Sequence, residues 1–191
     1  MQHHPLSKQD EIIRQAYPIL YRHGFHATGM DRLLQDSRIS KRTLYKHFRS
    51  KEALIVATIQ HYHQLSLQAL EKAAAQHPGH PAEALLALFD LKKQAIESGD
   101  YWGCFAINAK LEYEGKHSGI EQACADFLSD LKAFVVGLCR KAGYRHPEDI
   151  GTQIMIQLEG VTVYGQVTHD ASLATTAKEM VRKLLQDAVL H

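Results

Sequence analysis

The sequence predicts an all-α fold. Apolar residues recur at spacings of three and four through most of the 191 residues, and no alternating strand pattern persists. Gly and Pro fall between these segments, where they end one helix or begin the next. We expect about nine helices, over residues 7–22, 29–36, 40–47, 50–75, 81–98, 103–113, 118–142, 148–167 and 171–189.

Local signals support these boundaries. Pro81 suits a first helical position after the loop 77–80, and Glu148 and Asp149 suit the N-terminus of the helix that follows Pro147. Pro18 disfavours a regular first helix, because proline has no backbone N–H to donate and its ring clashes with the carbonyl of Arg14. We therefore expect either a kink at Pro18 or a helix that begins later.

Charge is unevenly distributed along the chain. Residues 1–50 contain nine Lys and Arg against four Asp and Glu, a net charge of +5, whereas the whole chain carries +1. The remainder is therefore acidic, at −4. A basic end on an acidic body is typical of a head that binds a polyanion, with chance clustering as the alternative.

Two short helices between residues 28 and 47 carry explicit start signals. Thr28 is expected to cap the first, with Asp31 at the third helical position and an apolar face formed by Met30, Leu33 and Leu34. Ser40 is expected to cap the second, with Ile39 and Leu44 as a hydrophobic staple. If Leu44 and Phe48 face the core, the outward residues are Lys41, Arg42, Thr43, Tyr45 and Lys46.

Those outward residues suit DNA. Lys and Arg neutralise phosphates or pair with guanine edges, a Thr methyl contacts a thymine methyl, and hydroxyls bond to phosphates. The alternative is a solvated basic face on an ordinary helix pair.

The segment also resembles a known family. Gly24-Phe25, Thr28, the run Ser40–Phe48 and Ser50–Leu54 together are similar to the signature of the TetR family, over about a quarter of the chain. The resemblance implies a homeodomain-like, three-helix helix-turn-helix domain in residues 1–52 and a helical domain for effector binding and dimerisation in residues 53–191. The sequence departs from the family pattern at Leu34, where Ala is usual, and at Arg38, where Gly is usual; a left-handed Arg38 would cost about 1–2 kcal/mol.

The resemblance also implies roles for individual residues. It places Thr28 and Gly29 against the DNA backbone and Lys41, Arg42 and Thr43 at base edges. Phosphates would be held by Tyr45, His47 and Lys51, with Lys46 among the outward residues. The implied partners are a double-stranded DNA operator, a small-molecule effector and a second copy bound through the last two helices.

The last two helices support the dimer independently. In helix eight, Ile150, Ile154, Leu158 and Val161 form one apolar line, and Ile156, Val163 and Val167 form another. A helix that is apolar on two sides must be covered on two sides. Helix nine repeats apolar residues from Leu173 to Ala188 at the same spacings. Packing within one chain is the alternative.

Candidate effector contacts lie in the second domain. Cys104 and Asn108 share an apolar helical face, the aromatics Phe89, Tyr101, Trp102, Phe127 and Tyr164 are candidates to line a pocket, and Glu159 is an isolated charge in an apolar helix. Each of these also suits an ordinary core. The Gly103-Cys104 pair resembles a TetR subgroup in which some members respond to electrophiles or oxidants, and a reactive Cys104 would need a cation nearby, with Lys92 and Lys93 as candidates.

Several classes of protein are disfavoured. Three widely spaced cysteines argue against a disulfide framework and for a cytoplasmic protein. The polar N-terminus has no signal-peptide pattern, and no apolar run is long enough to span a membrane. The thirteen His show no metal-ligand spacing, so we expect no metal and no cofactor. No nucleophile and base are suitably spaced for an enzyme.

The sequence therefore predicts a ligand-responsive transcriptional regulator, and a repressor in particular, released by a small apolar or reactive effector. The alternatives are an activator, a redox or electrophile switch at Cys104, and a ligand-binding helical dimer whose DNA-binding head has degenerated.

Overall fold

The computed structural model describes residues 7–35 and 39–188, and within them the chain is helical without a β-strand. The helices are α1 (Lys8–His23), α2 (Met30–Leu34), α3 (Lys41–His47), α4 (Lys51–Ala74), α5 (Pro81–Glu97), α6 (Phe105–Tyr113), α7 (Ser118–Lys141), α8 (Pro147–Thr168) and α9 (Ser172–Asp187). All nine agree with the predicted segments to within two residues at each end. The all-α prediction is confirmed.

The first helix shows why Pro18 does not delay it. Ser7 and Asp10 form a capping box, in which the Asp10 amide donates to Ser7 Oγ over 3.1 Å and the Ser7 amide donates to Asp10 Oδ2 over 3.2 Å. This box fixes the first turn at Lys8, and Pro18 lies at an exposed position inside the helix. The expectation of a later start is therefore wrong, because the cap stabilises a turn that lies well before the proline.

The described residues group into two compact units. The first contains α1, α2, α3, α6 and the N-terminal parts of α4 and α7, from Met1–Gln64 and Phe105–Phe127. The second contains α5, α8, α9 and the remainder of α4 and α7, from Leu65–Cys104 and Leu128–His191. The domain boundary expected after residue 52 stays a prediction.

The first unit has an aromatic centre. The ring of Phe105 is buried, with the rings of Phe25 and Tyr17 at centroid distances of 4.9 and 5.0 Å. Tyr62 lies at 5.6 Å and Tyr21 at 6.2 Å from the same ring. Aromatic rings contribute large buried areas, so this cluster joins α1, α4 and α6 around one side chain.

The second unit is built around α5, which packs on α8 and α9. Leu85, Leu88 and Phe89 are almost completely buried in a core that also contains Ile154 and Val181. The close approach of α8 depends on Gly165, because a Cβ there would lie 2.7 Å from Cδ1 of Ile96. Small and large side chains therefore interlock across these helices.

Candidate nucleic-acid interface

The second short helix is capped as predicted. The amide of Thr43 donates to Ser40 Oγ over 3.1 Å, and the two hydroxyls lie 2.8 Å apart. Ile39 and Leu44 are both buried, as a hydrophobic staple requires. The cap and the staple fix α3 at its N-terminal end. Arg38, the predicted departure in the turn, lies outside the described residues.

The predicted cap of α2 is wrong. Gly29, and not Thr28, is the N-cap residue of α2, and no side chain caps this helix. Thr28 is completely buried, and its hydroxyl donates to the carbonyl of Gly24 over 2.7 Å. A Thr hydroxyl can bond to main-chain groups that precede or follow it in the chain. Here it bonds to the preceding carbonyl of Gly24 and does not cap α2. Because Thr28 has no accessible surface in either its side chain or its main chain, this conformation does not support its predicted contact with the DNA backbone.

The outward side of α3 is polar and exposed. Leu44 and Phe48 are buried, while Lys41, Arg42, Tyr45 and Lys46 are exposed and Thr43 and His47 are half-buried. Tyr45 is 47% exposed, although tyrosine carries a large apolar ring. Lys51, at the first position of α4, is half-buried. The structure thus places the predicted base-reading and phosphate-binding side chains of α3 on one solvent-facing helix surface.

One of these side chains has a partner that the sequence did not indicate. Lys41 Nζ donates to Oδ1 of Asp31 over 2.7 Å, which joins α3 to α2. The hydrogen bond and the charge of Asp31 raise the pKa of Lys41. Both side chains are largely exposed, so a phosphate can compete for this lysine at little cost.

The loop between α1 and α2 has an acceptor from a distant part of the chain. The amides of Phe25 and His26 donate to Oε1 and Oε2 of Glu112, at 2.9 and 2.6 Å. No local pattern in the sequence marks Glu112 as a partner of this loop, because the residues of these pairs lie 87 and 86 positions apart. A single acid near the end of a short helix gives no sign of such a pairing.

The candidate effector residues are distributed over both units. Phe89, Tyr101 and Cys104 are buried in the second unit, and the Tyr101 hydroxyl donates to the carbonyl of Thr162 over 3.4 Å. Trp102 is half-buried and its Nε1 donates to Asp100 over 2.8 Å. The first unit contains Phe127, which is buried, and Asn108, which is half-buried. Their role in effector binding stays a prediction.

Two further candidates on α8 differ in their surroundings. Glu159 is half-buried, and burial raises the pKa of its carboxyl although the charge of Lys92 opposes the shift. Among the described residues, Oε2 of Glu159 has no hydrogen-bond partner. Tyr164 instead is 59% exposed. The structure therefore places Tyr164 on the helix surface, where it lies beside other exposed apolar residues.

Helix α8 has the two apolar faces that the sequence predicts. Ile150, Ile154, Leu158 and Val161 are buried in the core of the second unit. The other face, which we call the α8 face, is exposed: Ile156 is 64%, Val163 51% and Val167 74% accessible. The α8 face also contains Tyr164 and the exposed Gly160, whose Cα has open space beside it.

All three cysteines are buried. Burial raises the pKa of the Cys139 thiol to about 11, with a further contribution from the charge of Glu148, so the nucleophilic thiolate is disfavoured there. Within the described residues no group of His, Cys, Asp and Glu is arranged to hold a metal ion. In the same residues no helix has both the length and the apolar character needed to cross a membrane.

Comparisons with known proteins agree with this geometry. Residues 12–58 match the family model of bacterial regulatory proteins of the tetR family. The chain is 29% identical over 79 residues to the uncharacterized HTH-type transcriptional regulator YerO of Bacillus subtilis, covering 41% of this chain and 27% of YerO. It is 24% identical over 105 residues to the HTH-type transcriptional repressor NemR of Escherichia coli, covering 54% of this chain and 53% of NemR. The aligned part thus spans about a quarter to about half of these curated relatives.

Solved structures share the fold over nearly the whole chain. A TetR-family transcriptional regulator from Streptomyces coelicolor has a TM-score of 0.87 and 22% identity, covering 97% of this chain and 91% of that one. The reduced form of Escherichia coli NemR has a TM-score of 0.82 and 17% identity, covering 92% and 95%. The family model covers α3 and the helices that hold it, and the fold extends the likeness to the remaining helices. Residues 12–58 therefore match the tetR family of bacterial regulatory proteins, and the chain shares its fold with these solved TetR-family structures.

Proposed function

We propose that this protein is a transcriptional regulator that binds a double-stranded DNA operator with α3 in the major groove. The observation that carries the proposal is the exposed polar surface of α3, where Arg42, Tyr45 and Lys46 face solvent while Leu44 and Phe48 anchor the helix. An α-helix fits the major groove, and Arg and Lys both pair with guanine edges and neutralise phosphates. Binding to an operator places this activity in the cytoplasm.

The proposed state of the regulator on DNA is a dimer. The α8 face exposes four large apolar side chains along one side of the helix, and Gly160 between Ile156 and Val163 lets a partner helix approach closely. Such a face is costly to leave in water, and a second copy of the same face would cover it. Two copies carry two α3 helices, which suits an operator of two-fold symmetry.

The proposed response is that of a repressor. A small apolar or reactive effector bound in the helical region after α4 begins would favour a conformation with lower affinity for the operator, and the loss of affinity equals the difference in effector binding between the two states. The word repressor in the name of NemR supports this direction. The candidate effector contacts remain those that the sequence predicts.

The proposal is tested by selection from a pool of random duplexes, followed by titration of the enriched sequence at two salt concentrations. We expect a palindrome bound by two chains, with affinity that falls as salt rises because bound phosphates release counterions. Arg42→Ala and Tyr45→Ala should each weaken binding by about tenfold, as the loss of one good contact does. Lys132→Ala, which removes an exposed lysine of α7, is the matched control and should have little effect. Failure to enrich any sequence would favour a degenerate DNA-binding head instead.

A further inference from the structure

The loop from Gly24 to Gly29 decides how the helix-turn-helix begins, because it connects the end of α1 to the N-cap of α2. Inside the loop, Thr28 donates its hydroxyl to the carbonyl of Gly24. From outside the loop, the two oxygens of the Glu112 carboxylate accept hydrogen bonds from the successive amides of Phe25 and His26. The loop is therefore closed by one internal bond and held by a side chain from α6.

A second set of contacts supports the same arrangement. The His26 ring stacks on the Tyr113 ring with centroids 4.6 Å apart and planes 25° from parallel. Nε2 of His26 also lies 2.9 Å from the carbonyl oxygen of Glu112. The side chain and main chain of Glu112 thus both contact the loop. We call these contacts the Glu112 clamp, formed by Glu112, Tyr113, Phe25 and His26.

Gly24 shows how closely the clamp approaches the chain. Its φ is +79°, which favours glycine, and a Cβ at this position would lie 3.0 Å from Oε1 of Glu112. A side chain here would be strained in its backbone and crowded against the carboxylate at once. Gly24 belongs to the Gly24-Phe25 pair of the family signature, and the structure shows that it is the C-cap of α1 and that its small size admits Glu112.

We propose that Glu112 is a positioning residue for operator binding: its carboxylate fixes the loop that orients α2 and α3. The proposal rests on the DNA-binding function proposed above. Two amides of adjacent residues point at two oxygens of one group, so the carboxylate fixes the direction of both peptide units. Gly29 and the start of α2 follow three residues later, and α3 is joined to α2 by the pair of Asp31 and Lys41.

The chemistry of the side chain suggests a graded series of variants. Glu112→Gln keeps the size but replaces one acceptor oxygen by an NH2 group, which cannot accept a hydrogen bond. Glu112→Ala removes both acceptor oxygens, so the amides of Phe25 and His26 can then form hydrogen bonds only with water. Glu114→Ala is the matched control, because Glu114 lies two residues further on, just after the end of α6, is exposed and pairs with Lys110 of α6.

The first measurement is hydrogen exchange of the Phe25 and His26 amides in the free protein. Hydrogen bonds to charged groups are stronger than neutral ones, so we expect exchange to speed up by roughly tenfold or more in Glu112→Gln and further in Glu112→Ala. Amides in α8 should be unchanged in both variants. Circular dichroism shows whether each variant is folded, and the isosteric Gln variant keeps the test valid if the Ala variant unfolds. Unchanged amide exchange in Glu112→Gln would overturn the proposal.

The second measurement separates positioning from simple stability. On the selected operator, Glu112→Gln should bind about tenfold more weakly, because a misoriented α3 loses base contacts. On unrelated duplex DNA at low salt, the change should be less than about twofold, because the phosphate-binding charges are all still present. Equal affinity of wild type and Glu112→Gln for the operator would refute the positioning role alone. Absence of any operator for the wild type would refute the proposed function, and the positioning role with it.

Discussion

Tyr113 is a residue whose titration reports directly on the packing of the first unit. Burial raises the pKa of its phenol to about 12, and the negative charges of Glu52 and Glu112 add to the shift. A folded-state pKa above the unfolded value of 10.0 stabilises the fold below pH 10, and this contribution is lost as pH rises towards 12. We therefore predict that wild type loses more stability than Tyr113→Phe between pH 10 and pH 12, measured by denaturant unfolding.

Tyr45 provides the control for this prediction. It is 47% exposed and lies on the surface of α3, so Tyr45→Phe is the matched variant that removes a phenol hydroxyl outside the packed interior. Equal pH dependence of wild type and Tyr113→Phe would show that the Tyr113 phenol is hydrated in the folded protein.

Glu159 also gives a prediction for the pH dependence of stability, in this case between pH 4 and pH 7.5. Burial raises the pKa of its carboxyl, so the ionised form opposes folding, and the penalty appears as pH rises above the ordinary glutamate pKa of 4.5. Glu159→Gln keeps the size without the charge. We expect the variant to be more stable than wild type by about 1 kcal/mol at pH 7.5, the low end of the cost of an unsatisfied buried group, and by little at pH 4.

Denaturant unfolding at these two pH values measures the difference. Glu71→Gln, which removes the charge of an exposed acid on α4, is the matched control variant. A Glu159→Gln variant that is less stable than wild type at pH 7.5 would mean that the carboxylate has a partner in solution.

Single residues differ in how far the sequence predicts them. Ser40, Ile39 and Leu44 were predictable, because a cap and a staple act over four or five positions along one helix. Glu112 was not, because its partners are more than 80 positions away and no local pattern marks a long-range pair. Thr28 lies between these cases: its hydroxyl had two acceptable local partners, and only the folded loop decides between them.

The helix α3 depends on its cap more than longer helices do. It has seven residues, and isolated helices of this length are not stable in water. Ser40→Ala removes the acceptor for the Thr43 amide, so we expect a loss of about 1 kcal/mol in the free energy of unfolding and a weaker complex with the operator. Thermal or denaturant unfolding measures the first effect and operator titration the second.

Ser129→Ala is the matched control for the cap. Ser129 is exposed in the interior of α7, where alanine is the better helix former, so stability should be unchanged or slightly higher. If Ser40→Ala were as stable as wild type, the N-terminus of α3 would be held by Ile39 and Leu44 alone.

The positions of the helices along the chain were the most predictable part of this fold. The grouping of the helices into two compact units was the least predictable part. Periodicity and turn residues act within each segment, which is why all nine helices lie within two residues of their predicted ends. The assignment of α6 to the unit that contains α1–α3 depends on Phe105 and its aromatic neighbours. The apolar residues of α6 would have the same spacing in the sequence in either unit, so the spacing does not predict which unit contains α6.

At the scale of the molecule, the α8 face is a group of exposed apolar side chains along one helix of the described residues. The dimer predicted from this face can be tested by placing a charge on it. Ile156→Glu places a carboxylate on the α8 face, where a partner copy would have to bury it at a high cost in solvation. We expect sedimentation velocity to show a shift from dimer to monomer, and operator affinity to fall because two α3 helices no longer bind together. Leu111→Glu is the matched control, since Leu111 is 73% exposed on α6 and its replacement adds the same charge outside the α8 face. A dimer that survives Ile156→Glu would mean that a surface other than the α8 face joins the two copies, and the proposed arrangement of the two DNA-binding heads would have to change with it.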